Sequence, residues 1–199
     1  DFVTPDELEA LLADVGLIGL PNAGKSTFLN RTTNAVAKVG DYPFTTLRPQ
    51  LGVVRHKGRE FVLADIPGLI EGAAEGAGIG DRFLGHVERT KVLLHLVDAA
   101  GEDPAEAYSV VRGELQAYGA GLEDKPEVVA LSRSDLVEPG QLEEARAALA
   151  DVAGSEPLTV SAATGEGVDT LLDAIIEQLG GEASAHRQEE PAEKDWSPL

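Results

Sequence analysis

Eight residues near the start of the chain have the types and spacing of a phosphate-binding loop. They run Gly19-Leu20-Pro21-Asn22-Ala23-Gly24-Lys25-Ser26 and match G-x-x-x-x-G-K-[ST]. In this pattern backbone N–H groups converge on phosphate oxygens at the start of a helix. Lys25 would reach the β- and γ-phosphates of a nucleotide, and the Ser26 hydroxyl would ligate Mg²⁺. The alternative is a glycine turn without a ligand, which the preceding apolar run and the helix-like segment after it disfavour. The nucleotide-binding residues predicted here are Gly19, Pro21, Asn22, Ala23, Gly24, Lys25, Ser26 and Thr27.

A second group of residues could hold the metal and sense the γ-phosphate. Asp65-Ile66-Pro67-Gly68 is a D-x-x-G pattern placed at the end of a strand-like run. A carboxylate there can hold Mg²⁺ through water, and the Gly68 N–H can contact the γ-phosphate. Thr45 and Thr46 precede it in an exposed loop, where a hydroxyl could complete the metal shell; we favour Thr46. The alternative for Gly68 is a turn glycine that only follows a strand. The alternative for Thr45 and Thr46 is a β-branched pair that packs beside a hairpin.

A third group of residues could select the base of a nucleotide. Asp135 follows a strand-like run in Leu131-Ser132-Arg133-Ser134-Asp135. A carboxylate at that position can accept from guanine N1–H and the 2-amino group, which adenine does not offer. The stretch Ser161-Ala162-Ala163 follows the last strand-like run and fits a loop whose backbone N–H meets guanine O6.

The elements that position these groups form a repeating pattern of strands and helices. Strands are expected at about 14–20, 51–55, 61–65, 92–97, 128–131 and 158–160, and helices at about 24–35, 81–90, 104–118, 140–150 and 167–179. Such alternation predicts an α/β fold with three layers. It would contain a mostly parallel six-stranded sheet with one antiparallel edge hairpin strand and helices on both faces.

Composition limits the classes of protein that the chain can represent. Its 199 residues include no Cys and no Met, and the net charge is −19. We expect a cytoplasmic monomer, either cut from a longer chain or a processed or engineered form, without a membrane span, disulfides or Cys-based zinc sites. The acidity argues against direct nucleic-acid binding. Residues 1–13 would be a linker or short helix, 14–180 the nucleotide-binding domain, and 181–199 an acidic disordered tail.

Taken together, these motifs resemble those of the Obg family of GTPases. The resemblance lies in the phosphate loop, in Asp41-Tyr42-Pro43-Phe44-Thr45-Thr46-Leu47, and in the glycine-rich stretch that follows Asp65. It covers roughly residues 13–180 and implies a P-loop GTPase domain that binds GTP and GDP with Mg²⁺. It adds Phe44 to the nucleotide site and makes Lys25, Thr46 and Gly68 the catalytic residues. It also implies a role in assembly of the large ribosomal subunit.

The base-recognition motif departs from the family's Asn-Lys-x-Asp, because this chain has Ser132-Arg133-Ser134-Asp135. Arg133 could lay its stem along the base as Lys does. Ser132 is expected to be too short to reach the base or to tie this loop to the phosphate loop. A lost contact of that kind costs about 1–3 kcal/mol, or roughly ten- to a hundredfold in affinity. We therefore expect weakened GTP binding that still prefers guanine. The alternatives are a non-catalytic interaction module and, less in keeping with these loops, a small-molecule kinase.

Hydrolysis is expected to be slow because the two residues that follow the D-x-x-G pattern cannot orient water with their side chains. Leu69 and Ile70 follow Gly68, where Ras-type enzymes use a Gln. The missing group could be a monovalent cation such as K⁺, an arginine within the chain, or a partner such as the ribosome. By resemblance to cation-activated GTPases, Asn22 would ligate K⁺. Arg82 and Arg89 are more typical of surface charges.

Overall fold

The computed structural model describes residues 13–38, 50–65, 90–119 and 121–180. In these ranges the elements are β1 Val15–Ile18, α1 Lys25–Thr32, β2 Thr33–Lys38, β3 Gln50–His56, β4 Arg59–Asp65, β5 Val92–Asp98, α2 Pro104–Tyr118, β6 Glu127–Ser132, α3 Pro139–Ala153, β7 Leu158–Thr159 and α4 Val168–Gln178. Short 3₁₀ turns lie at Leu122–Asp124 and Ser134–Leu136. The expected helix at 81–90, the linker or short helix at 1–13 and the tail at 181–199 fall outside the described residues, apart from residues 13 and 90.

The strands form one sheet in the order β2-β3-β4-β1-β5-β6-β7. β3 runs antiparallel to both of its neighbours, and every other pair of neighbouring strands is parallel. This confirms the predicted α/β class with a mostly parallel sheet. Because the parallel strands share one direction, their carboxyl ends meet at a single edge, which is where ligands bind in open α/β sheets.

β2 is a seventh strand that the sequence analysis did not anticipate. The helix expected to reach residue 35 ends at Thr32, and the following residues pair with β3 at the edge of the sheet. The hydroxyl of Thr32 donates to the carbonyl of Phe28 at 2.9 Å, and that of Thr33 to the carbonyl of Leu29 at 2.7 Å. Two successive β-branched residues that bond to the last turn favour its end, and Thr33 is already extended.

The core is divided between the two faces of the sheet. Helices α1 and α4 contribute Phe28, Leu29 and Ile175 to one face. Helix α2 contributes Val111 and Leu115 to the other face, and α3 packs beside it. Each fully buried Leu or Phe side chain contributes about 1.5–3 kcal/mol to folding. The two packed faces hold the ends of β1, β4, β5 and β6 in fixed positions.

The boundaries of α2 and α3 are encoded locally. The carboxylate of Asp103 accepts a 3.0 Å hydrogen bond from the Glu106 N–H, and Pro104 occupies the first turn of α2. Pro139 opens α3, and Gly154 closes it with a positive φ of 68°. Within the described ranges, no helix combines the length and the apolar character needed to span a bilayer.

Candidate functional site

The phosphate loop lies between β1 and α1, as its pattern predicts. Gly19 has a φ of 154°, and a Cβ at this position would lie 2.5 Å from the carbonyl oxygen of Leu96 on β5. A side chain therefore cannot be accommodated there. Asn22 and Gly24 both have left-handed conformations, with φ values of 72° and 82°. Left-handed residues of this kind, placed just before a helix, are typical of backbone loops that bind phosphate.

The amides at the start of α1 are available to a ligand. The first N–H paired within the helix is that of Phe28, which donates to the carbonyl of Gly24 at 2.9 Å. In the described part of the chain, the N–H groups of Gly24, Ser26 and Thr27 have no hydrogen-bond partner. The side chains of Ser26 and Thr27 are exposed, so both the amides and the Ser26 hydroxyl can meet phosphate oxygens or a metal ion.

Lys25 is held against the loop that it is predicted to serve. Its ammonium donates to the carbonyl of Gly19 at 2.6 Å and approaches that of Leu20 at 3.5 Å. The positive charge is therefore placed at the loop itself. A bound polyphosphate would compete with these carbonyls for the same donor hydrogens.

Asp65 ends β4 and is nearly buried, with 7% of its surface exposed. It lies in register with Leu17 of β1 and with Gln50 of β3. Within the described ranges, its Oδ1 and the Oε1 of Gln50 are buried without a hydrogen-bond partner. Burial raises the pKa of the Asp65 carboxyl, and the charge of Lys25 offsets this only in part.

These features fit a hydrated Mg²⁺ ion. Mg²⁺ binds oxygen ligands and usually keeps several water molecules. Metal-bound water would donate to the unpartnered Oδ1 of Asp65, and the ion's charge would compensate the buried carboxylate. The Ser26 hydroxyl at the start of α1 could supply a direct ligand.

Ser132 ties the base-recognition loop to the phosphate loop, contrary to the expectation from its length. Its buried hydroxyl donates to the carbonyl of Ala23 at 2.6 Å and approaches that of Val97 at 3.3 Å. The prediction that this tie is lost is therefore wrong. The loops lie close enough together for a hydroxyl to span the gap, which sequence spacing does not reveal.

Arg133 adds a second connection between the same two loops. Its Nη1 donates to Oδ2 of Asp98 at 2.9 Å and to the carbonyl of Asn22 at 3.2 Å. Its Cγ would lie 3.8 Å from a Cβ placed on Gly24, so the stem runs along the phosphate loop. Asp98 was missed from the sequence. The available signal in the sequence was an acidic residue at the end of β5. In the sheet, Asp98 lies in register with Ser132 on β6.

The two predicted guanine contacts also meet. The buried hydroxyl of Ser161 donates to Oδ1 of Asp135 at 2.6 Å and accepts from the Thr164 N–H at 3.1 Å. These bonds fix the orientation of the Asp135 carboxylate, which is exposed. Among the described residues, the amides of Ala162 and Ala163 have no partner. The arrangement therefore places two open donors beside an oriented acceptor.

Four predicted site residues lie outside the described residues. They are Phe44, Thr45, Thr46 and Gly68. Their roles stay predictions from the sequence. The described residues of the site come from loops at the carboxyl ends of β1, β4, β6 and β7.

Comparison with known proteins assigns the family. A family model described as a 50S ribosome-binding GTPase matches residues 14–133. The chain is 63% identical over 192 residues to the GTPase Obg of Rhizorhabdus wittichii, covering 95% of this chain and 54% of that protein. It is 59% identical over 195 residues to the GTPase Obg of Erythrobacter litoralis, covering 95% of this chain and 55% of that protein. The chain belongs to the Obg family of GTPases. It spans little more than half the length of these Obg relatives.

Solved structures support the fold of this Obg-family domain. The G domain of the FeoB iron transporter of T. maritima superposes with a TM-score of 0.59 at 24% identity, covering 83% of this chain and 98% of that one. The cytosolic domain of L. pneumophila FeoB gives 0.59 at 24% identity, covering 81% and 68%. At this identity the likeness concerns the fold alone.

Proposed function

We propose that the chain is a Mg²⁺-dependent GTP-binding switch that hydrolyses GTP slowly to GDP and phosphate. The observation that carries this proposal is the hydrogen bond between the Ser132 hydroxyl and the Ala23 carbonyl. It joins a loop with open amides, suited to phosphates, to a loop with an oriented carboxylate, suited to a base. A nucleoside polyphosphate is the ligand that carries both groups.

The groups at the base end favour guanine over adenine. The Asp135 carboxylate can accept from N1–H and the 2-amino group, while the amides of Ala162 and Ala163 can donate to O6. Adenine has an unprotonated N1 and an amino group at position 6. Its N1 acceptor would therefore face the acceptor oxygens of Asp135, and its 6-amino donor would face the N–H donors of Ala162 and Ala163.

The phosphate end supports phosphoryl transfer to water. Ser26 and Asp65 would hold Mg²⁺, which stabilises negative charge on the phosphoryl oxygens when bound. Lys25 would contact the β- and γ-phosphates and share in that stabilisation. Thr46 would complete the metal shell, and the Gly68 N–H would contact the γ-phosphate. Water attacks the γ-phosphorus in line with the leaving GDP oxygen.

Slow hydrolysis is expected from the two residues that follow Gly68 in the sequence. Leu69 and Ile70 carry no group that can orient the attacking water. Asn22 is exposed in the phosphate loop, where its amide oxygen could ligate K⁺. K⁺ is therefore our candidate activator.

The description of the matching family model supports the large ribosomal subunit as the partner. We place the protein in assembly of that subunit, acting as a monomer in the cytoplasm. The loops predicted from the sequence at 36–49, of which residues 36–38 belong to β2, and at 68–81 would change with the bound nucleotide and report its state.

A second candidate function is a non-catalytic interaction module with weak nucleotide binding. It is favoured by the replacement of the family's Asn-Lys-x-Asp by Ser132-Arg133-Ser134-Asp135, in which the Ser132 side chain is shorter than the Asn amide. Such a module would use the fold as a docking surface.

Calorimetric titration with GDP, GTP and ATP, with and without Mg²⁺, tests these proposals. We expect GDP and GTP to bind, Mg²⁺ to tighten GTP binding, and ATP to bind at least tenfold more weakly. Lys25→Ala should abolish GTP binding, whereas Arg55→Ala, an exposed position on β3, should not change it. Equal affinity for ATP would refute the role of Asp135. Absence of GTP binding would favour the interaction module.

A further inference from the structure

The last turn of α1 carries an arginine that reaches the loop predicted to read guanine. The Nη1 of Arg31 donates a 3.3 Å hydrogen bond to the carbonyl of Ala163, 132 positions away in sequence. No carboxylate in the described part of the chain pairs with Arg31. Its guanidinium is therefore directed at the backbone of the loop and not at an acidic side chain.

The backbone of the loop passes close to this guanidinium. Gly165 has a φ of 88°, a left-handed conformation that favours glycine. A Cβ at this position would overlap Nη2 of Arg31, the mobile end of a flexible side chain. Arg31 and Gly165 therefore lie in contact between α1 and the loop that joins β7 to α4.

The loop's own hydrogen bonds leave the carbonyl of Ala163 to a partner outside the loop. The N–H of Ser161 donates to the carbonyl of Glu166 at 2.9 Å, and that of Gly165 to the carbonyl of Ser161 at 2.8 Å. These bonds close the loop at its base. The peptide group between Ala163 and Thr164 is held from two sides, because the Thr164 N–H donates to Ser161 Oγ at 3.1 Å and the Ala163 carbonyl accepts from Arg31.

We propose that Arg31 is a positioning residue for guanine recognition. By anchoring the carbonyl of Ala163, it limits the motion of the short segment that carries the N–H groups of Ala162 and Ala163, the proposed donors to guanine O6. The proposal rests on the proposed function, since it names what sets base discrimination at that same site. Arg31 itself touches the loop and not the nucleotide.

Direct attraction between Arg31 and the phosphates does not account for such a role. Arg31 lies seven residues after the phosphate-contacting Gly24, so about 10 Å of helix separates it from the phosphate end. At physiological salt, exposed charges that far apart are largely screened. An effect of Arg31 on affinity should therefore depend on the base, and this separates positioning from general charge.

Three ligands distinguish the contacts in a calorimetric titration. GDP offers all of its base groups. Inosine diphosphate lacks the 2-amino group read by Asp135 but keeps O6. In 6-thio-GDP a sulfur, which is a poorer acceptor, replaces O6, while both donors to Asp135 remain. The variant is Arg31→Met, and the matched control is Arg55→Met on β3, whose arginine pairs with Glu60 at 2.9 Å.

Arg31→Met should weaken GDP and inosine diphosphate about three- to tenfold each, the effect of one misplaced hydrogen bond. It should weaken 6-thio-GDP less than about twofold, because that bond is already poor. Arg55→Met should change none of the three. Equal loss for all three ligands, or no loss for GDP, overturns the proposal. Failure of the unsubstituted chain to bind GDP refutes the proposed function first.

A second measurement needs no nucleotide. Amide hydrogen exchange at Thr164 and Gly165 should be faster in Arg31→Met than in the unsubstituted chain, while exchange in β5 stays unchanged. Unchanged exchange in the loop would show that Arg31 does not hold it, and would overturn the proposal.

Discussion

Replacing Asp65 by asparagine should stabilise the nucleotide-free protein while removing its response to Mg²⁺. The Asp65 carboxylate is buried, and in the described part of the chain its Oδ1 has no partner. Burial raises its pKa, so the folded protein disfavours the charged form. Asp65→Asn removes this charge. The introduced amide can also donate to Oε1 of Gln50, the unpartnered acceptor directly across from it on β3.

The size and pH dependence of this gain follow from the same contacts. Relieving one unpaired buried acceptor is worth about 1–2 kcal/mol. For a domain of this length that corresponds to roughly 2–8 °C in Tm. Because the pKa of Asp65 is raised, the stability of the unsubstituted protein falls as pH rises through it. The gain in stability from Asp65→Asn should therefore be largest at neutral pH. It should decrease as the pH is lowered towards 3.8, the usual pKa of the carboxyl group.

Thermal unfolding followed by circular dichroism in EDTA, from about pH 8 down to about pH 5, measures this difference. Asp173→Asn is the matched control, for which we expect a change in stability of the opposite sign. Hydrogen bonds from Lys57 and His56, both 2.8 Å, lower the pKa of Asp173. Removing the Asp173 charge in Asp173→Asn should therefore destabilise the protein at neutral pH, and this destabilisation should decrease as pH falls. If Asp65→Asn lowered the Tm, or raised it by the same amount at every pH, the conclusion that a buried, unpaired Asp65 carboxylate destabilises the folded protein would be refuted.

Three further outcomes are expected. Ser132→Ala should weaken GDP binding about five- to tenfold by calorimetry, because the bond of the Ser132 hydroxyl to Ala23 is lost; an unchanged Kd would contradict that tie. Asp98→Asn should weaken GDP binding less, about two- to fivefold, since Arg133 keeps its bond to the Asn22 carbonyl; a greater loss than that of Ser132→Ala would be inconsistent with this order. GTP turnover should be faster in KCl than in NaCl if K⁺ is bound, and Asn22→Ala should abolish the difference; equal rates in both salts would exclude K⁺ activation.

Local patterns were sufficient for much of the fold. The phosphate loop needs a strand before it and a helix after it, and β1 and α1 are both present. The strand expected at 92–97 is a near-continuous apolar run, which is typical of burial on both faces, and all six of these residues of β5 are buried. β2 was missed because helix and strand preferences are nearly balanced after Thr32, and pairing with β3 decides between them.

The contacts between loops could not be predicted, because they depend on distances across the sheet. The hydroxyl of Ser132 reaches Ala23 only because β1 and β6 end at the same edge, on either side of β5. The pairing of Arg133 with Asp98 depends likewise on the register of β5 and β6. Residue types identified Asp135 and the segment at 161–163, but the Ser161 hydroxyl that orients Asp135 has no local signal.

The contacts between the loops form a closed circuit around the site. Ala23 is bonded to Ser132, Asp135 to Ser161, and Ala163 to Arg31 on α1, which returns to the phosphate loop. In a ring of this kind, each link limits the motion of the loops on both sides of it. Of these links, the bond between Ala23 and Ser132 joins the base loop directly to the phosphate loop. Through it the protein would sense base and phosphate as one ligand rather than as two separate parts.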